Sequence, residues 1–324
     1  MSASATCFGK IPSRGDFVKG AGQHQLITLL DRWASRAMEA MSEDSRWKIA
    51  YDDANAVDFL FVGARSRISI VGHLRPSRDS SGRRFPLITA AMVERDDSLM
   101  FRCGPSGLRQ SFAVLAGIAE NGTTGAEASQ LLSELESVDC AADFDRVMGA
   151  DPLGHFVRDT TLDHLTGMLA LGGGSEALRR IILALGLLLR PVIGHEEVEI
   201  NKDLVLPLPA DERYRHHVAG LWLYLISAFL RRTTVELQLL IERRTENPYL
   251  ILGFNGDSPS TLRSALTPEA MTEQRILLID PDWIDQQEEI IRDFGLSKLS
   301  SYLAQPAITL EQAVTTFREV FLGE

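Results

Sequence analysis

Two short stretches of this chain concentrate the residue types that do recognition chemistry. One is Cys7 to Val18, CFGKIPSRGDFV, and the other is Arg75 to Met92, RPSRDSSGRRFPLITAAM. Together they supply Lys10, Arg14, Arg75, Arg78, Arg83 and Arg84, with Lys19 close by, against the acids Asp16 and Asp79. A guanidinium holds its donors in a planar fork that fits a carboxylate or a phosphate, so arginines clustered on a turn read as a docking surface. Pro12, Pro76 and Pro86 stiffen both turns, which lowers the entropy lost when such a surface is occupied. A solvated basic rim is the alternative reading of the same residues.

Other candidate chemistry is thinner. Gly172-Gly173-Gly174-Ser175 at a helix start has the composition of a phosphate-binding nest, but it lacks the lysine of a P-loop and the spacing of a dinucleotide fingerprint. A flexible lead-in to a helix capped by Ser175 is the better reading. Arg14-Gly15-Asp16 reads as a turn. His216-His217 and His195-Glu196-Glu197 are expected to be solvated helix and loop residues, because sequence neighbours on a helix do not face one site. No HExxH, CxxC or G-x-S-x-G spacing occurs. No catalytic residue, metal ligand set or cofactor is therefore expected.

The elements that must position the arginines are short strands. Ile68, Ile70, Gly72 and Leu74 alternate with Arg67, Ser69, Val71 and His73, the period of a strand. Pro76, Ser77, Asp79, Ser80, Ser81 and Gly82 have turn chemistry, and Phe85 to Val93 resumes as a second strand. Cys7–Ile11, Trp47–Tyr51 and Asp58–Val62 are read as further strands, paired antiparallel through short loops. Leu26, Leu29, Leu30, Trp33, Ala37, Met38 and Met41 recur at helical spacing over Gln23–Met41. Ser106 is expected to cap a helix through Ile118, and Thr124 with Glu127 to form a capping box. Beyond a stretch from 150 to 172 without clear periodicity, a helix ends at Pro191, and a strand is read over Glu199–Leu208. A long apolar helix runs from Asp211 to about Arg231. Val235 to Ile241 alternates as a half-buried strand, and Tyr249–Phe254 and Arg275–Asp280 are two more. A helix near Ser260–Leu266 lies between those two strands. Thr309 and Gln312 open the last helix. The expected fold class is α/β (α+β). A mostly antiparallel sheet flanked by helices spans residues 1–145, and a second α/β domain spans residues 146–324.

These residues also carry a resemblance. Gly9-Lys10-Ile11-Pro12-Ser13-Arg14-Gly15-Asp16-Phe17-Val18, then Asp31 and Trp33, then Pro76-Ser77, Asp79 and Gly82-Arg83-Arg84-Phe85-Pro86-Leu87 resemble the TagF (ImpM) family of type VI secretion accessory proteins. The resemblance covers about the first 100 to 140 residues. It implies a cytoplasmic, post-translational negative regulator that engages the system's FHA-domain scaffold protein, alongside a Thr kinase and phosphatase pathway. It implies no catalysis. Lys10, Arg14, Arg75, Arg78, Arg83 and Arg84 are then the partner-binding candidates. Gly9, Pro12, Gly15, Asp16, Phe17, Trp33, Pro76, Asp79, Gly82, Phe85 and Pro86 are the motif residues, with Phe85 and Pro86 anchoring the turn. An enzyme with its site in the C-terminal half and a structural baseplate-associated protein are the alternatives.

Composition narrows the field further. The 324 residues are 45% hydrophobic and 24% charged, a balance typical of globular proteins. Residues 1–110 hold 16 Lys and Arg against 12 Asp and Glu, whereas the remainder holds 17 against 32. That acidity argues against nucleic-acid binding, while the basic part can meet an acidic or phosphorylated partner. The apolar runs Ile181–Leu189 and Val218–Leu230 are too short to span a bilayer. No signal peptide is expected, and Cys7, Cys103 and Cys140 are read as reduced thiols of a cytoplasmic protein.

Overall fold

The computed structural model describes residues 5–63, 65–267 and 272–324. Its strands are β1 (Thr6–Gly9), β2 (Val18–Lys19), β3 (Val57–Gly63), β4 (Ile68–Arg75), β5 (Leu87–Glu94), β6 (Asp203–Pro207), β7 (Glu236–Glu242), β8 (Tyr249–Gly253) and β9 (Arg275–Leu277). They form one sheet in the order β2-β1-β5-β4-β3-β7-β8-β6-β9. All neighbours run antiparallel except β6 and β9. The fold is α/β, with a sheet as antiparallel as its short connections imply.

Helices cover both faces of the sheet. Ahead of β6 lie α1 (His24–Ser42), α2 (Trp47–Asp52), α3 (Asp97–Gly107), α4 (Arg109–Thr123), α5 (Ala128–Glu136), α6 (Cys140–Met148), α7 (Pro152–Asp159), α8 (Leu162–Leu169) and α9 (Gly174–Leu189). After it come α10 (Glu212–Leu230), α11 (Pro259–Leu266), α12 (Glu288–Arg292), α13 (Phe294–Leu303) and α14 (Leu310–Leu322). Alternation along β3 sorts the two cores. Phe59 and Phe61 face α1 and α11 with Trp33, Leu240 and Leu262, while Leu60 and Val62 face α3, α4 and α10. The larger core holds most of α10, whose apolar residues lie on nearly every side and are buried accordingly. Trp222 on this helix donates its indole N–H to the Pro207 carbonyl at 2.9 Å.

The expected boundary after residue 145 falls inside α6, and the sheet continues past it. β3 and β7 pair over seven residues, Val57 with Glu242 through Gly63 with Glu236.

Several local expectations are corrected. Trp47–Tyr51 is not a strand but the helix α2, whose Trp47 and Tyr51 rings meet one turn apart, at 6.4 Å. Ser106 lies inside α3, which is capped instead by Asp96 accepting from the Ser98 N–H. Thr124 forms no capping box; its hydroxyl donates back to the Glu120 carbonyl and Glu127 caps α5 without a side-chain bond. Gly173, not Ser175, is the cap of α9. β7 is buried on both faces rather than half-buried, because α11 covers the side on which Gln238 sits. At the other end of the chain, the Thr309–Gln312 capping box forms as expected.

Candidate functional site

The arginine turn is built from both motif stretches at once. β1 ends at Gly9, whose φ of +144° and lack of a side chain let its backbone lie against β5; a Cβ there would sit 2.0 Å from the Pro86 carbonyl oxygen. Lys10 follows and is buried, and its carbonyl accepts the Ser77 hydroxyl at 2.7 Å. Its ammonium reaches Asp79 at 2.9 Å. Asp79 is buried beneath the loop, and its carboxylate organises it. Oδ1 accepts the backbone N–H groups of Ser81 and Arg83, each at 2.9 Å, and Oδ2 accepts the Arg83 Nε at 2.7 Å. Burial alone would raise this carboxyl, but Lys10 and the Arg83 and Ser81 donors more than offset it and hold it well below the usual range. Gly82 closes the turn at φ +79°, donating its N–H to the Asp79 carbonyl at 2.9 Å.

The loop is tied down on three further sides. The Tyr51 hydroxyl donates to the Ser77 carbonyl at 3.2 Å and accepts the Ser77 N–H at 3.0 Å. Arg84 grips both carboxylate oxygens of Asp52, at 2.8 and 2.5 Å. Arg83 donates to the Gly15 carbonyl, and the Ser80 N–H donates to the Arg14 carbonyl at 2.9 Å. Phe8, Phe17 and Phe85 stack as a trio, with ring centres 4.9–5.6 Å apart. Phe17 is 40% exposed and carries the Lys10 ammonium over its ring.

The structure therefore divides the six cationic candidates. Lys10 is buried and paired with Asp79. Arg83 and Arg84 are paired with Asp79 and Asp52, and Arg75 is half-buried, 3.4 Å from Glu120. Arg14 and Arg78 are exposed and form no ion pair among the described residues. Both lie in turns joined by backbone bonds, so two unpaired guanidinium groups stand on a braced surface. Asp16 and Gly15 are exposed beside them, Pro12 and Pro76 are half-buried, and Phe85 and Pro86 are buried. Trp33 packs on Phe59 and Phe61 at 5.0 and 5.1 Å, in the same core that takes in Phe8, Tyr51 and Phe85.

Sequence reading missed a second polar centre. Asp58 on β3 is fully buried, bonded to His73 Nδ1 on β4 at 2.7 Å, to His216 Nε2 on α10 at 2.9 Å and to Arg243 at 3.1 Å. Its carboxyl would be raised by burial, but the two imidazoles hold it far below the usual range. His216, expected in solvent, is buried and stacks on Phe112 at 4.9 Å. His217, expected likewise, is part-buried with its ring bonded to the Ser106 hydroxyl at 3.2 Å. Burial, with Arg109 and His216 nearby, pushes it down to about 4. The signal that could have found this centre is Asp58 itself, one acid within the apolar run Val57–Val62.

The family model described as TagF N-terminal domain, Type VI secretion system-associated, matches residues 6–138. The chain carries a TagF N-terminal domain. That domain indicates association with type VI secretion, and its span includes both motif stretches, Asp52, Asp58 and His73. Among solved structures, the crystal structure of PA0076 from Pseudomonas aeruginosa PAO1 is similar at 23% identity, over 41% of this chain and 62% of that one, with a TM-score of 0.35. No curated protein matches the chain. Among the described residues no helix is long and apolar enough to cross a membrane.

Proposed function

We propose that this chain is a cytoplasmic negative regulator of type VI secretion that acts by binding the FHA-domain scaffold protein through the braced arginine turn. No catalysis is part of this reading. The observation that carries it is the pair Arg14 and Arg78, exposed and unpaired on a surface whose other cations are already held by Asp79, Asp52 and Glu120. A guanidinium held out by a rigid turn gives up little entropy on docking, and an acidic face on the partner would supply the missing carboxylates. Phe17, 40% exposed beside Lys10, adds an apolar contact to the same surface. Baseplate or phosphorylation-pathway components are further partners of the same surface.

The test is a double Arg14→Ala, Arg78→Ala variant. Neither side chain holds the fold, so the melting temperature should stay nearly unmoved. Truncating a charge that is buried in an interface costs about 2–5 kcal/mol. The variant should therefore fail to capture the FHA-domain scaffold in a pull-down and should release secretion from repression. Full capture and full repression by the stable variant would reject this surface.

A further inference from the structure

A second cationic site lies far from the arginine turn, in a cleft of about 510 Å³ between α3, α10 and α14. That volume falls within the roughly 300–1,000 Å³ of small-ligand sites. Three arginines line it: Arg102 on α3, Arg231 just after α10 and Arg318 on α14. Leu99, Phe101 and Tyr224 form its apolar wall. Among the described residues no acid is in its lining itself, although Arg231 and Arg318 belong to the part of the chain where acids outnumber bases by 32 to 17.

One carboxylate reaches in, that of Glu324. Arg318 Nη2 meets its Oε2 at 2.6 Å, and Arg231 meets its Oε1. Hydrogen bonding from Arg318 holds the Glu324 carboxyl below its usual range against a small rise from desolvation, with the Arg231 charge adding to the effect. Arg318 is fixed in place by Tyr224. Its Nη1 donates to the tyrosine hydroxyl at 2.7 Å, and the guanidinium lies over the ring at 5.3 Å. Arg102 forms no ion pair among the described residues. Three guanidinium groups thus share the Glu324 carboxylate and, at Arg102, the more distant charge of Asp151, an arrangement suited to an anion.

We propose that this cleft binds a phosphoryl group, with the carboxylate of Glu324 as an internal competitor that leaves when the group enters. Arg231 and Arg318 would transfer their forks from the carboxylate to the phosphoryl oxygens, Arg102 would supply the third cation, and Leu99 and Phe101 would pack on whatever bears the phosphate. A phosphorylated protein side chain and a small phosphate ester present the same chemistry.

The experiment is calorimetric titration of the full chain with inorganic phosphate, a phosphothreonine peptide and a nucleoside monophosphate. Saturable binding is expected for phosphate. Tighter binding of the peptide would assign the group to a protein, and tighter binding of the monophosphate would assign it to a small ester. Glu324→Gln removes the competitor and should tighten binding about two- to fivefold, the size of a partly exposed ion pair. Arg318→Ala should weaken it at least about tenfold. Arg231, more than half exposed, provides a second variant, Arg231→Ala, that does not disturb the Tyr224 packing. Arg318→Lys keeps the charge but loses the fork, and should also weaken binding. No binding of any probe, or equal binding by wild type, Arg231→Ala and Arg318→Lys, would overturn the proposal. The Arg14, Arg78 variant should bind phosphate like wild type, so the two sites fail or stand separately.

Discussion

At the scale of single residues, burial and pairing give two carboxyls opposite pH behaviour. Asp79 has a folded pKa below its unfolded one, so its contribution to stability is present above about pH 4 and is lost as pH falls further. Lys10→Met should therefore lower the melting temperature at pH 7 and have a smaller effect only in strong acid, near pH 1, where Asp79 is protonated in the folded chain as well. An equal loss at both pH values would show that Lys10 matters only for packing. Asp203, at the start of β6, behaves in the reverse sense. Burial raises it to about 6, against the Thr261 hydroxyl, which donates to it at 2.9 Å, and the nearby Arg275 charge. Its charged form is disfavoured in the fold, so stability falls as pH rises from about 4 through 6. Asp203→Asn keeps an acceptor for Thr261 and removes that charge. Stability at pH 8 should rise by something on the order of 2 kcal/mol, with little change at pH 4. Chemical denaturation at the two pH values measures this, and a loss at pH 8 would reject it.

At the scale of elements, Asp58 joins β3 to β4, β7 and α10 through His73, Arg243 and His216. Removing one partner from a buried charged cluster leaves the others uncompensated, a loss of about 3–5 kcal/mol. Asp58→Ala should therefore shift the denaturant midpoint strongly, and a change under about 1 kcal/mol would show the cluster to be dispensable. These contacts also mark how far the sequence could be read. Periodicity placed α1 and β4 within a residue or two, and the capping pattern placed α14, because those signals lie within a few residues of each other. α2 was misread as a strand because six residues are too few to tell a period of 2 from one of 3.6. The arginine turn was legible as a turn, but which arginines are free was not. Lys10 meets Asp79, and Arg84 meets Asp52, across elements that only the sheet brings together. Asp58, His73 and His216 are on three different elements, so no local spacing announces them.

At the scale of the whole molecule, the sheet bears on how the chain divides. The sequence reading divides the chain after residue 145, and the matched family domain ends at residue 138. Yet β7 completes β3 along its full length, and α10 covers the face on which Asp58 and Leu60 sit. A fragment ending at 145 would present β3 as an open edge with a buried acid stripped of His216 and Arg243. It would also expose the apolar face that α10 covers. The larger core takes in residues from Ala5 to Phe321, so parting the two halves would open its interior to water. Calorimetry of the full chain should then show one transition with calorimetric and van't Hoff enthalpies equal. The fragment 1–145 should be aggregation-prone or unfolded when expressed alone. Two separated transitions, or a folded fragment with native circular dichroism, would show that the β3–β7 pairing joins two units that are each stable alone.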